Sequence, residues 1–178
     1  MTDAPLPAAL LVGPMLDGLD LLSRKAYFQS LRTRRLIDGE VLFQEGATGD
    51  VLYIVADGCI VVTRTLRDGS VLELDRVVSG DMVGAMAVIS PASRPGTAKS
   101  VGYSLVLRVD RDGFRKRLME RDPAAEALLR FATYRISRRL RQLDARIALA
   151  HDVNRQASQA RLLTQVNQIQ ALGKVSLG

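Results

Sequence analysis

Apolar positions along the chain change period twice. From Met15 to Leu36, the residues Leu16, Leu19, Leu21, Leu22, Tyr27, Phe28 and Leu31 recur at mostly helical spacing, which predicts one or two short helices. From Val41 the apolar runs become short and rich in β-formers: Val41–Phe43, Val51–Val55, Cys59–Arg64, Val71–Val78 and Ser104–Val109. Turn signals separate them, namely Asp38-Gly39, Glu45-Gly46, Gly49-Asp50, Asp57-Gly58, Asp68-Gly69 and Gly80-Asp81. The glycines at 46, 58, 69 and 80 stand 12, 11 and 11 residues apart, an interval that predicts an antiparallel sandwich or barrel. Asp57-Gly58 and Asp68-Gly69 read as hairpin dipeptides, the glycine supplying the positive φ of the turn.

After Asp110 the period is helical again. Asp122 suits an N-cap, Pro123 the first helical position, and Glu126 the positive end of the dipole. Ile136, Leu140, Leu143, Ile147 and Ala150 step by 4, 3, 4 and 3, a heptad seam. Val153, Ala157, Ala160, Leu163, Val166 and Ile169 continue the stripe in a shifted register, which predicts a stutter or break near 151–155. Gly173 ends the pattern. Unbroken, Pro123 to Leu172 would extend on the order of 75 Å, so the segment calls for a partner helix, most simply that of a second copy. The expected organisation is a flexible lead-in over 1–13, a β-rich domain over 14–122, a long helical segment over 123–172 and a tail over 173–178. The fold class is mainly β with helices: an antiparallel sandwich or jelly roll followed by a long C-terminal helix.

Composition adjusts this picture in three places. Hydrophobic residues make up 47% of the 178, enough for a real core, but aromatics are 4% and Trp is absent, so packing is aliphatic. The single cysteine, Cys59, excludes an intramolecular disulfide and reads as a small core residue of a protein from a reducing, cytoplasmic compartment. No apolar run approaches the roughly 20 residues of a membrane span, and Met1 to Val12 has no basic residue, unlike a secretory signal. The net charge of +6 is concentrated: Arg115 to Arg161 holds 12 Lys+Arg against 5 Asp+Glu, and the remainder is nearly balanced. Such a stripe is either the solvated face of an Arg-rich helix or a surface for nucleic acid, an acidic partner or an anionic ligand.

Gly84 to Arg94 carries the candidate chemistry. A glycine, a short apolar helical turn and one arginine can build a phosphate pocket from free backbone N–H groups and a fork of charged donors. With the segments Gly39-Glu40-Val41-Leu42-Phe43-Gln44-Glu45-Gly46 and Gly49-Asp50-Val51-Leu52-Tyr53-Ile54-Val55, then Gly58, Gly80-Asp81 and Gly84, the order of elements from Leu16 to Ala150 resembles the cyclic-nucleotide-binding domain. That family includes the sensor module of catabolite activator proteins, cyclic-nucleotide-dependent kinases and nucleotide-gated channels. The resemblance implies a ligand site of Gly84, Ala85, Met86 and Ala87 with Arg94 on the cyclic phosphate. Ala85 stands where the family has a glutamate that accepts from the ribose 2′-hydroxyl, and Pro95-Gly96 displaces the usual small residue after the arginine, so that Thr97 replaces it only if the loop bends differently. Losing one charge-assisted bond of roughly 1.5–3 kcal/mol implies affinity for cAMP or cGMP lower by about ten- to a hundredfold.

The resemblance also places the long helix over the base. Asp144 can accept from the N1–H and 2-amino group of guanine, or simply pair with Arg141 on the same helical face. Arg135, Arg138, Arg139 and Arg141 can meet a second phosphate, so a cyclic dinucleotide stays in view. Two functional readings follow: a ligand sensor that signals through its C-terminal helix, or a fold that binds no nucleotide and serves as a dimeric scaffold. In both, Ile136, Leu140, Leu143 and Ile147 join a homodimer, and 153–172 engages a partner protein. That stripe carries Gln and Asn and no second helix after a Gly-containing turn, so sequence-specific DNA binding is not expected. Neither an enzyme activity nor a cofactor or metal is expected, because His151 is the lone histidine, without a His/Cys/carboxylate cluster.

Overall fold

The computed structural model describes residues 6–90 and 92–175, with side-chain surroundings described as far as Leu162. Its β-core is one rolled sheet built on two long strands, β4 (Val51–Thr65) and β8 (Thr97–Asp110), which pair antiparallel along most of their length. Each long strand serves two neighbours. The first half of β4 pairs β6 (Asp81–Val83) and its second half pairs β5 (Val71–Val78). Likewise the end of β8 pairs β1 (Arg32–Leu36) and its beginning pairs β2 (Val41–Phe43). The sheet bends between these halves, where the β4–β8 register slips at Asp57 and Cys59.

Gly58 makes that bend. Its φ is +87°, and a Cβ would sit against Tyr103 O and 2.8 Å from Ser104 Cα. Beside the slip, Cys59 N donates to Ser104 Oγ at 3.2 Å, and Ser104 is itself hydrogen-bonded to buried Ser100. The Asp57-Gly58 dipeptide is therefore a β-bulge within one 15-residue strand, not a hairpin turn. Asp68-Gly69 is the hairpin: Gly69 has φ +83°, and Leu66 N donates to Ser70 O at 2.8 Å. Cys59 is half-buried rather than in the core, with Arg76 Nη1 3.9 Å from its sulfur.

Alternation sorts β4 between two cores. Val55, Ile60 and Val62 join Leu36, Leu42, Val77, Val83, Ala98 and Val106 inside the rolled sheet. Leu52 and Ile54 point to the other face, where Leu107 and Val109 meet the helices. Those helices are α1 (Ala8–Val12), α2 (Leu21–Ser30), α4 (Arg111–Met119) and the start of α5 (Pro123–Val175). Leu10 of α1 is fully buried, so the segment from Ala8 is a packed helix rather than a flexible lead-in; residues 1–5 lie outside the described residues. The expected helical stretch also ends early, because Arg32–Leu36 forms a strand whose first four residues are exposed on the sheet edge.

Asp122 caps α5 as its sequence suggested, its Oδ1 accepting from Ala124 N at 2.8 Å. Arg121, at φ +58°, closes α4 just before it. The compact body runs to Ile136, past the boundary expected at 122, and Ser137 onward is a separate unit. The helix continues through 151–155, so of the expected stutter or break the break is absent, and it includes Gly173, so the expected stop is absent as well. In the second unit, Leu140, Leu143 and Ile147 are exposed. Ile136 differs: it is partly buried against the body's core, so an exposed seam begins at Leu140. Leu163, Val166 and Ile169 lie beyond the described side chains. Among the described residues no helix is long and apolar enough to cross a membrane.

Candidate functional site

The segment 84–94 forms a short loop that returns on itself. β6 ends at Val83; Gly84 takes φ +78°, and α3 (Met86–Ile89) follows. This turn is held by Ala87 N donating to Gly84 O at 3.0 Å and Ser90 N to Met86 O at 2.9 Å. β7 (Ala92–Ser93) then pairs antiparallel with β3 (Thr48–Gly49), and Arg94 N donates to Ala47 O at 2.9 Å. That ladder points Arg94 back toward Gly84.

Arg94 is the chemical centre of the loop. It is only 7% exposed. Its Nη2 donates to Val51 O at 2.5 Å and its Nη1 to Gly84 O at 3.5 Å, while the guanidinium lies 4.1 Å from the Phe43 ring centroid. Two glycines make room for it. A Cβ on Gly84 would collide with Arg94 Nη1, and a Cβ on Gly49 would stand 3.0 Å from Arg94 Cζ. No described carboxylate forms an ion pair with it. Burial pulls its pKa below the ordinary arginine value, reinforced by Arg111 and opposed by Tyr53 and Asp50. The guanidinium stays charged at neutral pH.

A second arginine holds the loop from beneath. Arg111 Nε donates to Ala87 O at 2.6 Å, and its Nη2 donates to Gly49 O. Of the other expected site residues, Ala85 and Ala87 are buried, and Met86 is 55% exposed at the start of α3. Thr97 Oγ1 accepts from Glu45 N at 3.1 Å, which leaves its own hydrogen free to donate. Asp144 lies on the exposed helix of the second unit, and no ion pair joins it to Arg141. Sequence reasoning missed Phe43, Gly49, the Val51 carbonyl and Arg111. Gly49 was read as a turn signal and as part of the family motif but not as a site residue, and nothing in the local pattern at Arg111 marks it.

Residues 33–121, half of the chain, match the model of the cyclic nucleotide-binding domain. The chain belongs to the cyclic-nucleotide-binding domain family. It is 31% identical over 110 residues to the CRP-like cAMP-activated global transcriptional regulator of Mycobacterium tuberculosis, covering 62% of this chain and 47% of the relative. The crystal structure of the N-terminal domain of a transcriptional regulator from Streptomyces coelicolor superposes with a TM-score of 0.61 at 29% identity, covering 78% of this chain and 94% of that one. The regulatory domain of Toxoplasma gondii protein kinase A, crystallised with cAMP, gives a TM-score of 0.53 at 30% identity, covering 67% and 45% respectively. This chain spans about half the length of the curated regulator it matches.

Proposed function

We propose that this chain is a regulatory module that binds a cyclic nucleotide, with the phosphate received by Gly84, Ala85, Met86, Ala87 and Arg94 and assisted by the Thr97 hydroxyl. The observation that carries this reading is Arg94: a residue only 7% exposed, its guanidinium held by two carbonyls and an aromatic face, with no carboxylate partner among the described residues. A buried charge is costly unless an opposite charge meets it, and an anion supplies that charge. A guanidinium has five N–H donors and the two carbonyls occupy two, so donors remain for phosphate oxygens. The relatives' names support the class of ligand, since one is cAMP-activated and another was crystallised with cAMP.

Ligand identity is the finer part of the proposal. cAMP, cGMP and a cyclic dinucleotide are the candidates. Ala85 favours a second reading, a dimeric scaffold with a silent pocket, because a methyl group accepts no hydrogen bond from ribose. In either case Leu140, Leu143 and Ile147, exposed by 59%, 38% and 66%, form a homodimer seam, and 153–172 engages a protein partner. The module acts as a regulator rather than an enzyme. Titration calorimetry of the wild type and Arg94→Ala against cAMP, cGMP and cyclic di-GMP separates the readings: the sensor binds one of them and loses it with Arg94, and the scaffold binds none.

A further inference from the structure

β6 is only three residues long and lies between two glycines of positive φ, Gly80 at +84° and Gly84 at +78°. Its backbone ladder is to β4, over Tyr53 to Val55. Gly80 N donates to Val55 O at 2.9 Å, and Met82 and Val83 are buried, so the backbone and the core hold the strand, and a side-chain contact at Asp81 adds a further restraint at its first residue. Arg135 of α5 makes that contact. Its Nε lies 2.7 Å from Asp81 Oδ1, at the first residue of β6, and its Nη2 lies 3.7 Å from Asp75 Oδ2 on β5.

The clamp is well supported on every side. Asp81 Oδ1 also accepts from Met82 N at 2.7 Å, and Asp75 Oδ1 accepts from Arg76 N at 3.0 Å, so both carboxylates are oriented by their own backbone. The side chains of Arg135, Asp75 and Asp81 are 15%, 27% and 21% exposed, which spares the contact most of the screening that weakens surface pairs. On the helix side, Phe131 and Ala132 are buried in the core one turn earlier. Arg135 therefore joins an anchored helix to the strand that delivers Gly84 to Arg94.

We infer that Arg135 is a positioning residue for the anion site: by fixing Asp81 it holds β6, and through β6 it holds Gly84 to Ala87 in place against Arg94. Its effect on ligand affinity rests on the cyclic-nucleotide reading above, whereas its effect on the empty site does not. Linkage makes the relation reciprocal, so an anion that draws Gly84 to Ala87 onto Arg94 also steadies the clamp.

Amide hydrogen exchange on the nucleotide-free full chain tests the inference, comparing wild type, Arg135→Gln and Arg135→Lys. Charge-assisted bonds of this kind correspond to about a tenfold change or more. Arg135→Gln should speed exchange at 82–88 about tenfold relative to the β4–β8 ladder amides of Val61 to Thr63, and Arg135→Lys should restore part of the protection. If exchange at 82–88 changes no more than at 61–63, Arg135 is an ordinary structural contact and the inference is overturned. Should Arg135→Gln fail to fold, Asp81→Ala removes the shorter contact and is read by the same criterion. A cAMP titration in parallel should show about tenfold weaker binding in Arg135→Gln and none in Arg94→Ala. Absence of cAMP, cGMP and cyclic di-GMP binding by wild type would refute the cyclic-nucleotide reading and leave the exchange result to decide Arg135.

Discussion

Gly84 and Gly39 offer a matched pair that isolates what the Arg94 niche requires. Both have positive φ, +78° and +73°. An L-residue forced into that region costs roughly 1–2 kcal/mol, so Gly39→Ala and Gly84→Ala share this strain. Beyond it they differ. A Cβ on Gly39 meets nothing within 4 Å, while a Cβ on Gly84 runs into Arg94 Nη1 and stands 3.3 Å from Val51 O. The guanidinium must move, and with it goes the bond to Val51 O, a hydrogen bond to a charged group worth about 1.5–3 kcal/mol. Gly39→Ala should therefore lower Tm by about 2–8 °C and Gly84→Ala by several degrees more, at about 2–4 °C per kcal/mol for a chain of this size. Thermal melts of the two variants without ligand read the stability difference, and titration with cyclic nucleotide reads the site. Equal melting temperatures, or unchanged affinity in Gly84→Ala, would refute the niche described around Arg94.

Tyr27 gives a prediction of opposite sign. Its hydroxyl is buried without a hydrogen-bond partner among the described residues, so Tyr27→Phe should stabilise the protein by about 1 kcal/mol in denaturant unfolding. Burial raises the Tyr27 pKa above its ordinary value of 10.0, so the unfolded chain ionises first and stability falls as pH rises past about 10; Tyr27→Phe should flatten that alkaline decline. Replacing Leu140 and Leu143 with Glu should give monomers in light scattering if the exposed seam dimerises the protein, and a wild type already monomeric at tens of micromolar would sink the seam. Ala85→Glu should tighten cAMP binding about ten- to a hundredfold while leaving 2′-deoxy-cAMP unchanged, because only the ribose hydroxyl gains an acceptor; equal gains for both ligands would contradict that role.

Much of the fold was legible because glycine and apolar period carry it. Short runs rich in β-formers marked β2, both halves of β4, β5 and the end of β8, and Asp122-Pro123 marked the start of α5. What misled is equally physical. Asp57-Gly58 satisfies the same positive-φ demand in a bulge as in a hairpin, so the dipeptide could not distinguish one bent strand from two. Arg32 to Arg35 lie on an exposed edge and show no alternation, which hid β1. The apolar slip after Ala150 suggested a stutter or break; the helix has no break, and an exposed helix has no core to enforce a single register. The site divides the same way. Gly84 and Arg94 belong to one short motif and were found together. The groups that shape the niche come from distant parts of the chain: Val51 O is 43 residues from Arg94, and Gly49 O is 62 from Arg111. Only folding brings them to one place.

The central claim is that an anion completes the buried Arg94. It is tested most directly by the thermal stability of the wild type and Arg94→Ala with and without millimolar cAMP, cGMP or cyclic di-GMP. A ligand that binds only the folded state raises stability by about 2.7 kcal/mol at a hundredfold excess over its Kd, or several degrees in a chain of this length. The account predicts such a shift for at least one of these nucleotides in the wild type and none in Arg94→Ala. A wild type that shows no shift with any of them, or an Arg94→Ala variant that shifts equally, would contradict it.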